Sequence, residues 1–397
     1  MREGKRFPLQ RSVATVYAGN ALIYGFTGLY YCFIQLYLKN ETAHSYSKIG
    51  FLLSFAQTVA IFAPMLWGVW ADKARYKKTA LFVMMAGATA CYCLVPVNDS
   101  FWWLILTLGL TMFFLSAIGS VLDVIGVETA LMEGRRYGSM RLMGMLGYGF
   151  VAFGLSFFIS GNYIAIFGIS AMLGLICCLC IAFMPKVEGH AHAKKMRFAP
   201  LLKAKELLLL ISILATAQFA YGYYMNFFPT YLTSELNAPD LLWGTNVLLT
   251  TVSEAPFYIW FDAIFKRFRM KTVVVFILVL TIVRYVLLAI CVSFAGILMI
   301  GFVTGAASVS LLYSVNLYAN KNIDPSLRAS AQTMVYALGV GVPRMLSSFI
   351  GGFVTERIGV NCSMILSATV VAVGLGAALL SSFGDLKESK AQAEKEK

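Results

Sequence analysis

Long apolar runs recur along the chain, separated by short polar joints. A helix that crosses a bilayer needs about 20 consecutive apolar residues. Twelve runs approach or exceed that length: 12–38, 47–70, 79–96, 101–131, 140–160, 163–184, 205–232, 241–264, 272–291, 296–320, 329–354 and 360–383. The expected fold class is therefore all-α and integral to the membrane, with twelve transmembrane helices in two pseudo-symmetric six-helix bundles. The longest polar stretch between runs, Pro185 to Lys205, is basic and falls between the sixth and seventh. It divides the chain into an N-terminal bundle (1–184), a cytoplasmic linker (185–204) and a C-terminal bundle (205–383). A mixed-charge tail (384–397) follows, read as disordered or as a frayed helix. The first run is full-length and lacks a small-residue cleavage site, so it is read as a retained helix.

The halves look related. Tyr37-Leu38 returns as Tyr231-Leu232, Gly50 as Gly244, and Ala63-Pro64 as Ala255-Pro256, in the same order and at nearly one offset. Parallel halves with a site between them are a transporter architecture.

Composition supports the membrane assignment and charge orients it. Hydrophobic residues make up 59% of the 397 positions and charged residues 13%, against about half and a quarter in soluble domains. A net charge of +13 would suggest nucleic acid in a soluble protein, but its placement says otherwise. Of 32 Lys and Arg, only Lys39, Lys48 and Arg357 fall in one set of alternate joints, while Arg284 and Arg344 lie within spans. The rest gather in the tails and the other joints, with Arg141 just inside a helix. The positive-inside rule then predicts both termini in the cytoplasm of a plasma-membrane protein. The eight cysteines sit in or beside apolar runs without metal-ligand spacing, and His44, His190 and His192 lie in joints. No metal, no cofactor and no catalytic residue is predicted. A membrane enzyme would need a reactive cluster, and a channel one continuous polar lining; neither pattern is present.

Charges inside the spans are the candidate chemistry, because each costs roughly 2.5–3.5 kcal/mol to insert. Asp123 and Arg141 are equally far from Met132, in the turn between the fourth and fifth runs. At about 1.5 Å of rise per residue, both sit roughly 8–10 Å into the membrane and can share one polar cavity. Glu254 and Arg284 flank Arg269 in the same way in the second half, near the bilayer centre. Burial disfavours a charged carboxylate and a nearby arginine favours it. Glu254 is thus the candidate proton carrier and Arg284 the residue that drives its deprotonation. A static structural pair is the alternative, as is an Arg141 that reaches the headgroups. Glu128 and Glu133 are expected to pair with Arg135 or Arg136, and Asp262 with Lys266.

One joint resembles a known signature. Gly68-Val-Trp-Ala-Asp72-Lys73-Ala-Arg-Tyr-Lys77-Lys78 is similar to the loop between the second and third helices of the major facilitator superfamily, with Arg75 where a second glycine is usual. Tyr137-Gly138-Ser-Met-Arg141-Leu-Met-Gly144 with Asp123 before it, Ser253-Glu254-Ala-Pro-Phe, and Val283-Arg284-Tyr285 resemble the branch containing lactose permease and the phenylpropionate and nucleoside symporters. The resemblance implies that Asp123 accepts from solute hydroxyls while Arg141 donates through its fork. It also implies that Gly68, Asp72, Lys73 and Lys77 form a gating loop. The tenth run departs from the lactose permeases: its Ala306 to Asn316 segment holds neither His nor Glu, so the proton path is not copied from that relative. Tyr31, Tyr223 and Asn226, on the first and seventh runs, complete the predicted substrate contacts. The expected function is proton-coupled symport of a small organic solute, a sugar or similar polyol first, by a monomer. A nucleoside or aromatic-acid symporter and a drug:proton antiporter are the alternatives. Arg344 has no acidic partner identifiable in the sequence; facing solute, it would favour an anion.

Overall fold

Each apolar run becomes a helix, and the joints become turns of a few residues. The computed structural model describes residues 9–134, 137–159, 161–188, 198–324 and 327–381. The first half holds α1 (Leu9–Asn40), α2 (Tyr46–Lys73), α3 (Lys77–Cys93), α4 (Phe101–Leu115), α5 (Ile118–Met132), α6 (Tyr137–Ile159) and α7 (Ala165–Phe183). The second holds α8 (Lys205–Ser234), α9 (Asp240–Arg267), α10 (Met270–Ile290), α11 (Phe294–Thr304), α12 (Ala306–Asn322), α13 (Arg328–Met334) and α14 (Val342–Leu380), with a π-helical turn, Val335–Gly341, before α14.

The fourth pass is broken between α4 and α5, and the tenth between α11 and α12, at equivalent places in the two halves. The eleventh and twelfth passes run through α14 without a loop; they are divided only at Gly359, whose φ of 78° and ψ of 169° suit a residue without a Cβ. Among the described residues, nine helical stretches are long and apolar enough to cross a membrane, counting 328–380 as one. The shortfall from twelve has a physical cause. The middle of α9 carries Thr250, Thr251, Ser253 and Glu254, and α12 is rich in Ser, Tyr and Asn, which lowers the hydropathy of both. Interior prolines (Pro64 in α2, Pro229 in α8, Pro256 in α9) are tolerated where neighbouring helices satisfy the freed carbonyls.

Within the first bundle α1 packs on α6, and α3 on α4 and α7; within the second α8 packs on α14, and α10 on α14 and α12. Aromatic cores hold each bundle together. Tyr92 sits between Tyr30 (5.5 Å between centroids) and Phe167 (4.9 Å) in the first. Tyr224 packs on Phe228 (5.1 Å) and Trp243 (5.6 Å) in the second. The halves also share a capping device. Lys78, near the start of α3, donates to the carbonyls of Ala182 and Met184 at the end of α7 (2.8 and 3.0 Å). Lys271, near the start of α10, donates to Leu379 and Ser381 at the end of α14 (2.9 and 2.7 Å). Both lysines meet the carbonyl-rich end of a helix dipole.

The bundles meet along α2 with α14, α6 with α9, and α1 with α8. Contact is tightest at the charge-poor end. A Cβ added to Gly50 would lie 2.5 Å from the Ser348 carbonyl and 2.8 Å from the Gly352 Cα, so two backbones touch there. The Asp240 carboxylate accepts from the Tyr163 hydroxyl (2.9 Å) and the Gly161 amide (3.3 Å) across the α6–α9 seam. Glu356 accepts from the Ser47 amide (2.9 Å) across the α2–α14 seam, and the Trp243 indole donates to the Cys32 carbonyl (2.9 Å). At the basic end the described polar contacts stay within one bundle. The molecule is closed at the charge-poor end.

Candidate functional site

Between the bundles lies a cavity of about 310 Å³ to which both contribute side chains. In the first bundle the hairpin of α5 and α6 brings Asp123 and Arg141 level, and they meet. Arg141 Nη1 lies 2.8 and 3.0 Å from the two Asp123 oxygens, with each side chain about one-third exposed. Tyr24 of α1 completes the cluster: its hydroxyl donates to Asp123 Oδ1 (3.1 Å) and accepts from Arg141, whose guanidinium lies over the ring at 4.6 Å. One nitrogen makes both contacts to Asp123, so Arg141 does not engage it as a fork. Its Nε and Nη2 make no hydrogen bond among the described contacts.

The second bundle is different. Glu254 and Arg284 both line the cavity, but no ion pair or hydrogen bond joins them. Equal distance from a turn fixes height, not lateral neighbourhood. α9 packs mainly on α6 and α11, whereas α10 packs mainly on α14 and α12, and the two helices barely touch each other. Arg284 is 1% exposed, and Nε, Nη1 and Nη2 all lack a hydrogen-bond partner. Its guanidinium lies over the Tyr224 ring at 4.6 Å, while the Tyr224 hydroxyl takes a bond from Asn246 (2.6 Å).

Arg344 also faces the cavity, through the partner that the sequence did not identify. Its Nε and Nη2 donate to Gln218 Oε1 (2.9 and 2.7 Å), and its guanidinium covers the Tyr221 ring at 4.7 Å.

Of the other predicted contacts, Tyr31 and Asn226 line the cavity, and Asn226 also donates to Ser348 Oγ (2.7 Å). Tyr223 is a correction. Gln218, Tyr221, Gly222 and Met225 share one side of α8, and at 100° per residue Tyr223 points the opposite way. It is buried at 2% exposure, bonded to Thr355 Oγ1 (2.7 Å), inside the second bundle. In the predicted gating loop, Gly68 faces open space, and neither Asp72 nor Lys73 forms an ion pair among the described residues. Lys77 of the same loop lies 3.2 Å from Glu128 Oε1. Arg135, Arg136, the side chains of Asp262 and Lys266, and the 384–397 tail lie outside the described residues.

A helical membrane fold of two bundles around a cavity bordered by charged side chains is that of a transporter of the major facilitator type, not an enzyme. The chain belongs to the MFS_1 like family, whose pattern matches residues 19–365. It is 24% identical over 364 residues to the transporter YwbF of Bacillus subtilis (strain 168), covering 89% of each chain. It is 22% identical over 364 residues to a maltose permease of Geobacillus stearothermophilus, covering 90% of this chain and 92% of that one. Among solved structures, a mutant of the nucleoside transporter NupG superposes with a TM-score of 0.82 at 17% identity, over 92% of this chain and 98% of the other. A second NupG structure gives 0.78 over 94% and 98%. At that identity the likeness is one of fold.

Proposed function

We propose that the protein is a proton-coupled symporter that takes a hydroxyl-rich organic solute, a sugar or similar polyol, into the cell by alternating access. In this reading it is a monomer in the plasma membrane, its termini in the cytoplasm and its cavity open to that side in the state described here. The Asp123–Arg141–Tyr24 cluster carries the reading: Arg141 and Tyr24 line the cavity, and Asp123 is bonded to both. A carboxylate acceptor beside a guanidinium with free donors can hold a vicinal pair of hydroxyls, and charge-assisted hydrogen bonds are the strong ones. Tyr31 and Tyr148, which also line the cavity, supply faces for a sugar ring. The maltose permease relative agrees with this solute class.

Glu254 has the properties a proton carrier needs. It borders the cavity, and no ion pair holds it in the charged form. Arg284 borders the same cavity. Rocking of the bundles about the α2–α14 and α6–α9 seams would expose these groups to the two faces in turn.

The test is accumulation by reconstituted vesicles under an acid-outside gradient, across a panel of sugars that includes maltose. The wild-type protein concentrates its solute. Glu254→Gln exchanges labelled for unlabelled solute but does not concentrate it. Full accumulation by Glu254→Gln would remove Glu254 from the proton path, and accumulation indifferent to the gradient would remove proton coupling altogether.

A further inference from the structure

From the charges around the cavity we infer that the solute is an anion: a carboxylate-bearing compound whose acid group is held by Arg284 and Arg344. The inference rests on the transport reading above and narrows its solute from a sugar to a sugar acid or similar monocarboxylate. Three guanidinium groups border the cavity, those of Arg141, Arg284 and Arg344. Arg141 is neutralised by Asp123 at 2.8 Å. Arg344 is held by the neutral amide of Gln218 through Nε and Nη2, which leaves Nη1 without a hydrogen bond among the described residues. Arg284 has no hydrogen-bond partner on any of its three nitrogens, although it is 1% exposed.

Guanidinium does not shed its proton in proteins, and a buried charge is costly unless paired. Glu254 is the one carboxylate among the described lining residues, and Asp123 reaches the cavity only through its bond to Arg141. With Glu254 ionised the cavity lacks one negative charge; with Glu254 protonated it lacks two. A neutral solute repairs neither state. A monocarboxylate repairs the first and leaves the second cationic by one unit. Tyr221, Glu254, Arg284 and Arg344 line one cavity, so these groups border one volume. Arginine presents a planar fork that suits two carboxylate oxygens, and Arg284 has the whole of that fork uncommitted.

The experiment is equilibrium binding to the purified full-length protein with matched pairs that differ only in charge. Suitable pairs are maltose with maltobionate, methyl glucoside with methyl glucuronide, and benzyl alcohol with benzoate. At least one acid is expected to bind tenfold or more tightly than its neutral partner. In Arg344→Gln, that ratio should fall to within about threefold of unity. Neutral members that bind as well as their acids overturn the inference and leave the sugar-symport reading standing. An undiminished ratio in Arg344→Gln removes Arg344 from the site, and binding of no compound in the set overturns the inference as a whole. Should Arg344→Gln fail to fold, the wild-type ratio decides alone. Loss of proton dependence with the acid preference intact would sink the coupling reading and spare this one.

Discussion

The two halves of the cavity carry the same kinds of charge in opposite states. In the first bundle, acid and base are in contact, half-shielded and braced by Tyr24. In the second, acid and base share a cavity wall without touching, and the arginine is fully buried. A satisfied pair is a shaped surface that a solute can borrow; an unsatisfied one is a demand that a solute or proton can meet. In the proposed reading the first pair serves recognition of hydroxyls, and the second bundle's unpaired charges respond to the solute's acid group and to the proton.

Substitutions should separate these states, beginning with the largest effect. Arg284→Met is expected to lower transport by at least a hundredfold while raising thermal stability in detergent, since replacing poorly compensated buried charge by an apolar side chain can gain about 1–4 kcal/mol. A lowered melting temperature would mean that Arg284 has a structural partner after all, and the contrast between the halves would collapse. Asp123→Asn should weaken solute binding by roughly 10–100-fold, the worth of a hydrogen bond to a charged group. Its cost in stability should be below about 1 kcal/mol, because a half-exposed pair contributes little to the fold. A large stability loss with intact binding would make the first pair structural. The smallest effect is expected for Tyr24→Phe. Deleting one hydroxyl at 3.1 Å from Asp123 should cost about 1 kcal/mol, roughly fivefold in affinity by titration; no change would remove the brace.

How much of this the sequence could show depends on dimension. Span positions follow from apolar run length, a one-dimensional property, and the helices fall on the predicted runs. Depth is also one-dimensional, so Asp123 and Arg141 were placed level, and so were Glu254 and Arg284. Lateral neighbourhood is not. Whether consecutive helices pack is decided by all the others: α5 packs on α6, but α9 and α10 turn to different neighbours. The misplacement of Tyr223 was avoidable, since the helical period sets it opposite Gln218, Tyr221 and Met225. The Gln218–Arg344 contact had no comparable signal, because Gln218 is one of several neutral polar residues in spans and nothing in its spacing singles it out. The breaks beside Ser116 and at Gly305 were equally hidden inside unbroken apolar runs.

Gly359 has a mechanical consequence. Two passes share it as their whole connection, so there is no slack to let one slide while its neighbour stays. Glu356, three residues earlier, fastens this corner to the start of α2. Any tilt that frees the corner must therefore swing both passes as one stiff lever, with the end of α14 and its Lys271 clasp carried along at the far face. A longer tether inserted at this position would let the corner open while the remote end stayed put.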